Sequence, residues 1–152
     1  MCPTSFDAEA TFLYDGEGNL TSRTAAAGPL ASSPNYTTSY GYTPRNELSS
    51  LTDPAARAYS FFYDARGNHK ATQYPNGTFS WQEVNAAGWL TGLYNRHGTL
   101  PTPLPASVPT DSQGSPLSDF AYSYVITGQT TSEGQKTQEL RSGGGLPSET
   151  TS

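Results

Sequence analysis

The residues of this chain that could do chemistry are few and widely spaced. Asp15 and Asp64 are candidates for a carboxylate pair in general acid–base work. Each, however, opens a four-residue group closed by glycine, Asp15-Gly-Glu-Gly18 and Asp64-Ala-Arg-Gly67. An Asp there bonds the backbone two residues on and sets a turn, so both read as turn residues. His69 and His97 lie 28 residues apart with no ordered acidic cluster, and Cys2 is the single cysteine, so no zinc ligand set assembles. Gly16-Glu-Gly18 lacks the third glycine and the following helix of a dinucleotide fingerprint. No Gly-x-Ser-x-Gly occurs, and Ser142 sits in a glycine tract that reads as linker. Asn19, Asn35 and Asn76 stand in Asn-x-Thr sequons, which take glycans only on a eukaryotic secretory route. Nothing joins a nucleophile, a base and an oxyanion site. The chain is expected to be no enzyme and to need no metal or cofactor.

What the chain does have is aromatic surface: ten Tyr, six Phe and two Trp. Flat rings stack on sugars, and Trp81 and Trp89 have the largest faces, so a carbohydrate-binding module is one reading. Packing on the inner face of a sheet is the other. Only 14% of residues are charged and the net charge is −5, which argues against nucleic acid as a partner. Nowhere do eighteen apolar residues run together, and the first thirty residues contain no apolar leader core, so no membrane span or secretion signal is expected. The compartment is left open by the residues themselves.

The elements that position these residues are turns and short strands. Between 59 and 98, glycines at 67, 77, 88 and 98 close Asp64-Ala-Arg-Gly67, Tyr74-Pro-Asn-Gly77, Asn85-Ala-Ala-Gly88 and Asn95-Arg-His-Gly98. Asp or Asn at the first position and glycine at the fourth suit a type I turn ending in a left-handed residue. The segments between are six or seven residues long and rich in Tyr, Phe, Trp, Thr and Val, which predicts strands. The same unit recurs along the chain. Aligned on the closing slot, the copies sit at Gly18, Asn46, Gly67, Gly88 and Gly128, 28, 21, 21 and 40 residues apart. Asn46 is the best non-glycine residue for a left-handed slot. Before the slots, Phe12 and Tyr14, Tyr40 and Tyr42, Phe61 and Tyr63, and Tyr122 and Tyr124 form i, i+2 pairs, each on one sheet face. Phe79 and Trp81 fall in the opposite phase.

The predicted organisation is an all-β antiparallel hairpin meander. Residues 1–10 are a flexible start, 11–98 the meander, 99–117 an irregular Pro/Ser-rich loop, 118–135 a further degenerate copy, and 136–152 a disordered tail by composition. Prolines 101, 103, 105 and 109 confine the loop to an edge or an irregular excursion.

Aromatic-x-Tyr-Asp-x-x-Gly-Asn-Leu, recurring and interleaved with Tyr-Pro-Asn-Gly-Thr, resembles the YD repeat of the Rhs, teneurin and insecticidal toxin-complex families. Tyr14, Asp15, Gly18, Asn19 and Leu20 match in full; Tyr63, Asp64, Gly67 and Asn68 match with His69 in the apolar place. Thr43 and Asn85 stand in for Asp, and Val125 does not fit, although Tyr42, Tyr124, Gly77, Gly98 and Gly128 keep the phasing. The resemblance covers roughly residues 11–98 and 118–135. It implies an open segment of a hollow β-shell that encloses a toxic polypeptide or forms an extracellular scaffold, secreted or at the cell surface. Five copies are too few to close a shell, so the chain is expected to be a short fragment of a wall. Its partners would be neighbouring YD repeats or other copies through its sheet edges, a toxin polypeptide, or a glycan. The self-cleaving Asp-Pro-x-Gly plug of bacterial shells does not carry over, because Asp53-Pro54-Ala-Ala lacks the glycine.

Overall fold

A computed structural model describes residues 10–26, 35–114, 116–124, 136–142 and 150–151. All regular structure among them is β, in antiparallel pairs, with the strands following one another in chain order. The chain divides into two compact units, Met1–Ser60 and Phe61–Ser152. The first contains β1 (Ala10–Tyr14), β2 (Leu20–Ala26), β3 (Asn35–Tyr42) and β4 (Leu48–Thr52). The division falls within β5 (Ala58–Tyr63). The second contains β6 (His69–Gln73), β7 (Thr78–Val84), β8 (Leu90–His97), β9 (Ser118–Tyr124), β10 (Lys136–Ser142) and β11 (Thr150–Thr151).

The closing slots hold positive φ: 87° at Gly18, 61° at Asn46, 87° at Gly67, 76° at Gly77 and 83° at Gly88. One further slot is filled by Ala56, at 60°, which closes a turn from Asp53. A glycine-free Asp-Pro-Ala-Ala group carries no signal of left-handed backbone, and so this copy is missed from sequence.

A second repeated feature has no residue signature strong enough to predict. The ladder skips one residue on the outgoing strand after the turn, so Leu13 faces Ser22 but Tyr14 faces Leu20. Likewise Gly41 faces Ser50 and Tyr42 faces Leu48, while Glu83 faces Gly92 and Val84 faces Leu90. The unpaired residue is Thr21, Ser49 or Thr91, three past the slot each time. These are β-bulges, which strengthen strand twist and re-aim the flanking side chains. Because copies with and without the Tyr pair share the bulge, it does not account for the opposite phase of Phe79 and Trp81.

That opposite phase builds the core. Ala71, Phe79, Trp81 and Leu100 are buried, with Phe62, Tyr94, Leu104 and Val108 packed against them. Ala71 faces Trp81 across β6 and β7, and Trp81 faces Tyr94 across β7 and β8. The covering residues Leu100, Leu104 and Val108 come from the proline-rich segment. The segment is a strap over the sheet rather than the edge or excursion expected of it. Proline costs a ladder its N–H donors; it does not stop leucine and valine between prolines from burying apolar surface.

Two further expectations differ from the structure. Asn95, Arg96 and His97 belong to β8, so Gly98 closes no four-residue turn. Gly98 has φ 136° and its N–H donates to Gly77 O at 2.8 Å, where the chain leaves the strand for the strap. In the expected tail, 136–142 form β10, paired with β9 from Ser142↔Asp119 to Lys136↔Tyr124. Backbone pairing on an open strand edge needs little apolar side chain, which a judgement from composition cannot register. Gly128 and the rest of its turn, and 143–149, lie outside the described residues.

Candidate functional site

The turns that open at Asp15, Thr43, Asp53, Asp64 and Asn85 share one clamp. Asp15 Oδ1 accepts the N–H of Glu17 at 3.1 Å and of Asn19 at 2.8 Å, while Asn19 Nδ2 donates to Asp15 Oδ2 at 3.0 Å. Asp64 repeats this with Arg66 and Asn68 at 2.8, 2.9 and 2.9 Å. The motif thus needs Asn after its glycine because that amide holds the second carboxylate oxygen. Where the sequence departs, the clamp survives with other chemistry. Asp53 takes the N–H of Ala55 and Arg57 and the Arg57 Nε, the last at 2.7 Å. Thr43 Oγ1 accepts from Arg45 and Glu47 N–H, and Asn85 Oδ1 from Ala87 and Trp89 N–H. Asp15 and Asp64 are therefore turn clamps with all their oxygens committed, each in its own unit.

The repeat tyrosine has a defined task. Tyr42, last residue of β3, donates its hydroxyl to the carbonyl of Leu20, first residue of β2, at 2.9 Å. Tyr124, last residue of β9, donates to the carbonyl of Leu90, first residue of β8, at 2.5 Å. In both cases the bond ties one copy to the preceding copy. Asn19 Nδ2 adds a tie to Asn46 Oδ1 at 3.1 Å, and a shallow groove of about 450 Å³ lies between these turns, lined among others by Asp15, Asn19, Tyr42 and Asn46. Tyr63 acts differently in its ring contacts: with Phe61 it flanks His69, the ring centroids 5.8 and 6.4 Å from the imidazole.

Trp81 is not available as a sugar platform, because it is 0% exposed beneath the strap. Trp89 is half-buried with its ring 5.3 Å from that of Tyr124. Lys70 Nζ sits 4.6 Å from the Trp81 ring centroid, a cation–π contact that also occupies that residue. The histidines have separate partners: His69 Nε2 meets Thr72 Oγ1 at 2.9 Å, and His97 Nδ1 meets Asp111 Oδ2 at 3.1 Å.

The His97–Asp111 pair is absent from any sequence pattern, since the two stand 14 positions apart with the strap between them. It has the form of a base and its orienting carboxylate, but its bonds are those of a latch. Asp111 Oδ2 also accepts the His97 backbone N–H at 2.7 Å, and Ser112 N–H donates to His97 O at 3.0 Å. Beside it Arg96 spans Asp119 with Nε at 3.2 Å and a second nitrogen at 2.5 Å, and donates to Pro109 O at 2.8 Å. At the other end Gln73 donates to Thr78 O and Gly98 O and accepts Leu100 N–H at 2.7 Å. Strap and sheet are joined at both ends. Among the described residues no group of three or more His, Cys, Asp and Glu could hold a metal ion, and no helix is long and apolar enough to cross a membrane.

The clamps make stability depend on pH with a definite sign. The amide of Asn19 holds Asp15, that of Asn68 holds Asp64, and the N–H of Arg57 holds Asp53 below the usual carboxylate range. Burial pushes Asp111 up, but the His97 and Gln113 N–H groups and the His97 ring outweigh it and bring it down. Burial also lowers His69. A depressed folded-state value means the unfolded chain takes up protons first, so each group's contribution is complete above its ordinary value and is lost on acidification. Urea midpoints should therefore fall in two steps, the first below about pH 6.5 from His69 and the second below about pH 4 from the aspartates. His69→Gln should remove the first step alone; a stability that rises on acidification would contradict the assignment.

No protein-family model matches the sequence, and no curated protein does. Among solved structures, the chain is similar to one in the Photorhabdus luminescens Tc holotoxin pore, with 14% identity and TM-score 0.40, over 82% of this chain and 7% of that one. A TcdB2–TccC3 structure gives 14% identity and TM-score 0.39, over 86% and 8%. A porin-like protein from Bacteroides uniformis gives 16% identity and TM-score 0.39, over 90% and 52%. The chain thus spans less than a tenth of the toxin chains and about half of the porin-like one.

Proposed function

We propose that this chain is a non-catalytic wall segment, a run of tyrosine-stapled hairpins of the Rhs/YD-repeat kind. Its work is to present sheet surface that encloses or displays a toxin polypeptide, or that forms part of an extracellular scaffold. The observation that carries this reading is the repeated staple, in which Tyr42 and Tyr124 bond the carbonyls of Leu20 and Leu90 at the same two positions of the unit. A contact recurring at equivalent positions, with a clamp and a bulge in the same phase, is what stacking of one structural unit on the next requires. Among the described residues, Asp15 and Asp64 are committed to holding turns, and His97 and Asp111 to holding the strap. Neighbouring repeats are the partners that follow, with a secreted or cell-surface setting.

The test is a graft. Placed in a TcdB2–TccC3-type shell for a stretch of equal length, this chain should leave the enclosed polypeptide resistant to protease. Tyr42→Phe with Tyr124→Phe in the same graft should abolish that resistance. A graft that folds but encloses nothing, or turnover of any substrate by the purified chain, would remove the reading.

A further inference from the structure

We propose that Asn76–Gly77 is a self-modifying site, at which the Gly77 nitrogen closes on the Asn76 side chain and water opens the ring to an aspartyl or isoaspartyl residue, loosening the first tie of the strap. The inference is independent of the wall reading. Of the seven asparagines, at 19, 35, 46, 68, 76, 85 and 95, Asn76 alone precedes glycine. A side chain on the following residue shields that residue's backbone nitrogen. Glycine has none, and nothing stands within 4 Å of where a Cβ on Gly77 would lie. Both residues are exposed, in the turn between β6 and β7. The Gly77 N–H donates to Tyr74 O at 3.3 Å, longer than the 2.9–3.2 Å at the slots of Gly18, Asn46, Ala56, Gly67 and Gly88.

The turn also prepares the carbonyl. Thr78 donates its hydroxyl to Asn76 Oδ1 at 2.7 Å and its N–H to the same oxygen at 3.2 Å. Attack at Cγ puts negative charge on that oxygen, and donors already aimed at it stabilise the charge. Asn76 Nδ2 has no partner among the described residues, so nothing holds the leaving group. Asn19 and Asn68 differ, since their Nδ2 atoms hold clamp carboxylates at 3.0 and 2.9 Å, and Asn95 Nδ2 holds Ser118 Oγ at 2.9 Å. Asn85 Oδ1 has two N–H donors, but the alanine after it bears a methyl. In the first step the Gly77 nitrogen gives its proton to solvent hydroxide and bonds Asn76 Cγ. The Cγ–Nδ2 bond breaks, ammonia leaves with a proton from water, and a succinimide remains. Water then adds at Cγ to give aspartate, or at the Asn76 backbone carbonyl to give isoaspartate, whose main chain runs through Cβ and Cγ. That detour lengthens the turn before Gly77, whose carbonyl accepts the Gly98 N–H at 2.8 Å where the strap begins.

The full chain, kept folded in mildly alkaline buffer and then digested and mass-mapped, should gain aspartyl and isoaspartyl peptides at residue 76 before any other asparagine. Thr78→Val, which keeps the N–H and removes the hydroxyl, should slow the conversion about fivefold, the worth of one net hydrogen bond. In denaturing urea, where the turn is lost, the same substitution should have no comparable effect. Amide exchange at Gly98 should quicken several-fold in the isoaspartyl fraction. Asn76→Gln, which cannot close the five-membered ring, should stay homogeneous and keep the slow Gly98 exchange. An Asn76 that converts in urea but stays intact in the folded chain overturns the proposal. So does a folded rate indifferent to Thr78→Val, or Gly98 exchange that is the same before and after conversion.

Discussion

Trp81→Ala should cost the unit 61–152 about 3–5 kcal/mol, the range for emptying a large aromatic site in a core. Against a whole-domain stability of about 5–15 kcal/mol, that is enough to leave much of it unfolded near room temperature. The site cannot refill by local collapse. Trp81 lies between Ala71 and Tyr94 on the flanking strands, and the strap above is pinned by Gln73 at one end and by Arg96 and Asp111 at the other. Trp81→Phe should be far milder. The indole Nε1 is buried without a hydrogen-bond partner among the described residues, a situation that costs about 1–3 kcal/mol. Phenylalanine loses ring volume but removes that cost, so a net change within about 1 kcal/mol is expected. Trp89→Ala, at a half-buried ring, should fall well below Trp81→Ala. Urea melts followed by far-ultraviolet circular dichroism measure all three. Equal losses for Trp81→Ala and Trp89→Ala would mean that the strap does not close the core.

The second large effect concerns the left-handed slots, where two substitutions should move stability in opposite directions. Gly67→Val places a β-branched side chain at φ 87° and should cost about 2 kcal/mol or more, whereas Ala65→Val on the exposed turn should change stability by under about 0.5 kcal/mol. Ala56→Gly should stabilise. Alanine at φ 60° carries about 1–2 kcal/mol of strain, and glycine adds back about 0.4–1 kcal/mol of unfolded-chain entropy, so strain relief wins by roughly 0.5–1 kcal/mol. Thermal melts of the three variants decide the matter. A destabilised Ala56→Gly would show that the Asp53–Ala56 turn is not held as described.

Local backbone chemistry made much of this fold legible in the residues. Glycine or asparagine in fourth place, with Asp, Asn or Thr in first place or Pro in second, favours a turn within five residues, and alternation determines which aromatics share a face. The slots at Gly18, Asn46, Gly67, Gly77 and Gly88 and the antiparallel meander follow from those rules alone. Contacts across longer separations are another matter. Asn95-Arg-His-Gly98 has the composition of a turn, yet pairing with β7 along 95–97, joined by β9 at Asn95, keeps the segment extended. Residues 136–142 have the composition of a tail, yet the edge of β9 offers a ladder. The bulge at Thr21, Ser49 and Thr91 comes from how twisted strands leave a turn, and Ser or Thr at that place is too common to signal it. Most consequential is the fate of Trp81. Its type suits either a binding face or a core, and no spacing rule separates the two. The choice was made 19 to 27 residues further on, where Leu100, Leu104 and Val108 cross over it. Burial is a property of what lies above a side chain, so only the tertiary structure could decide it.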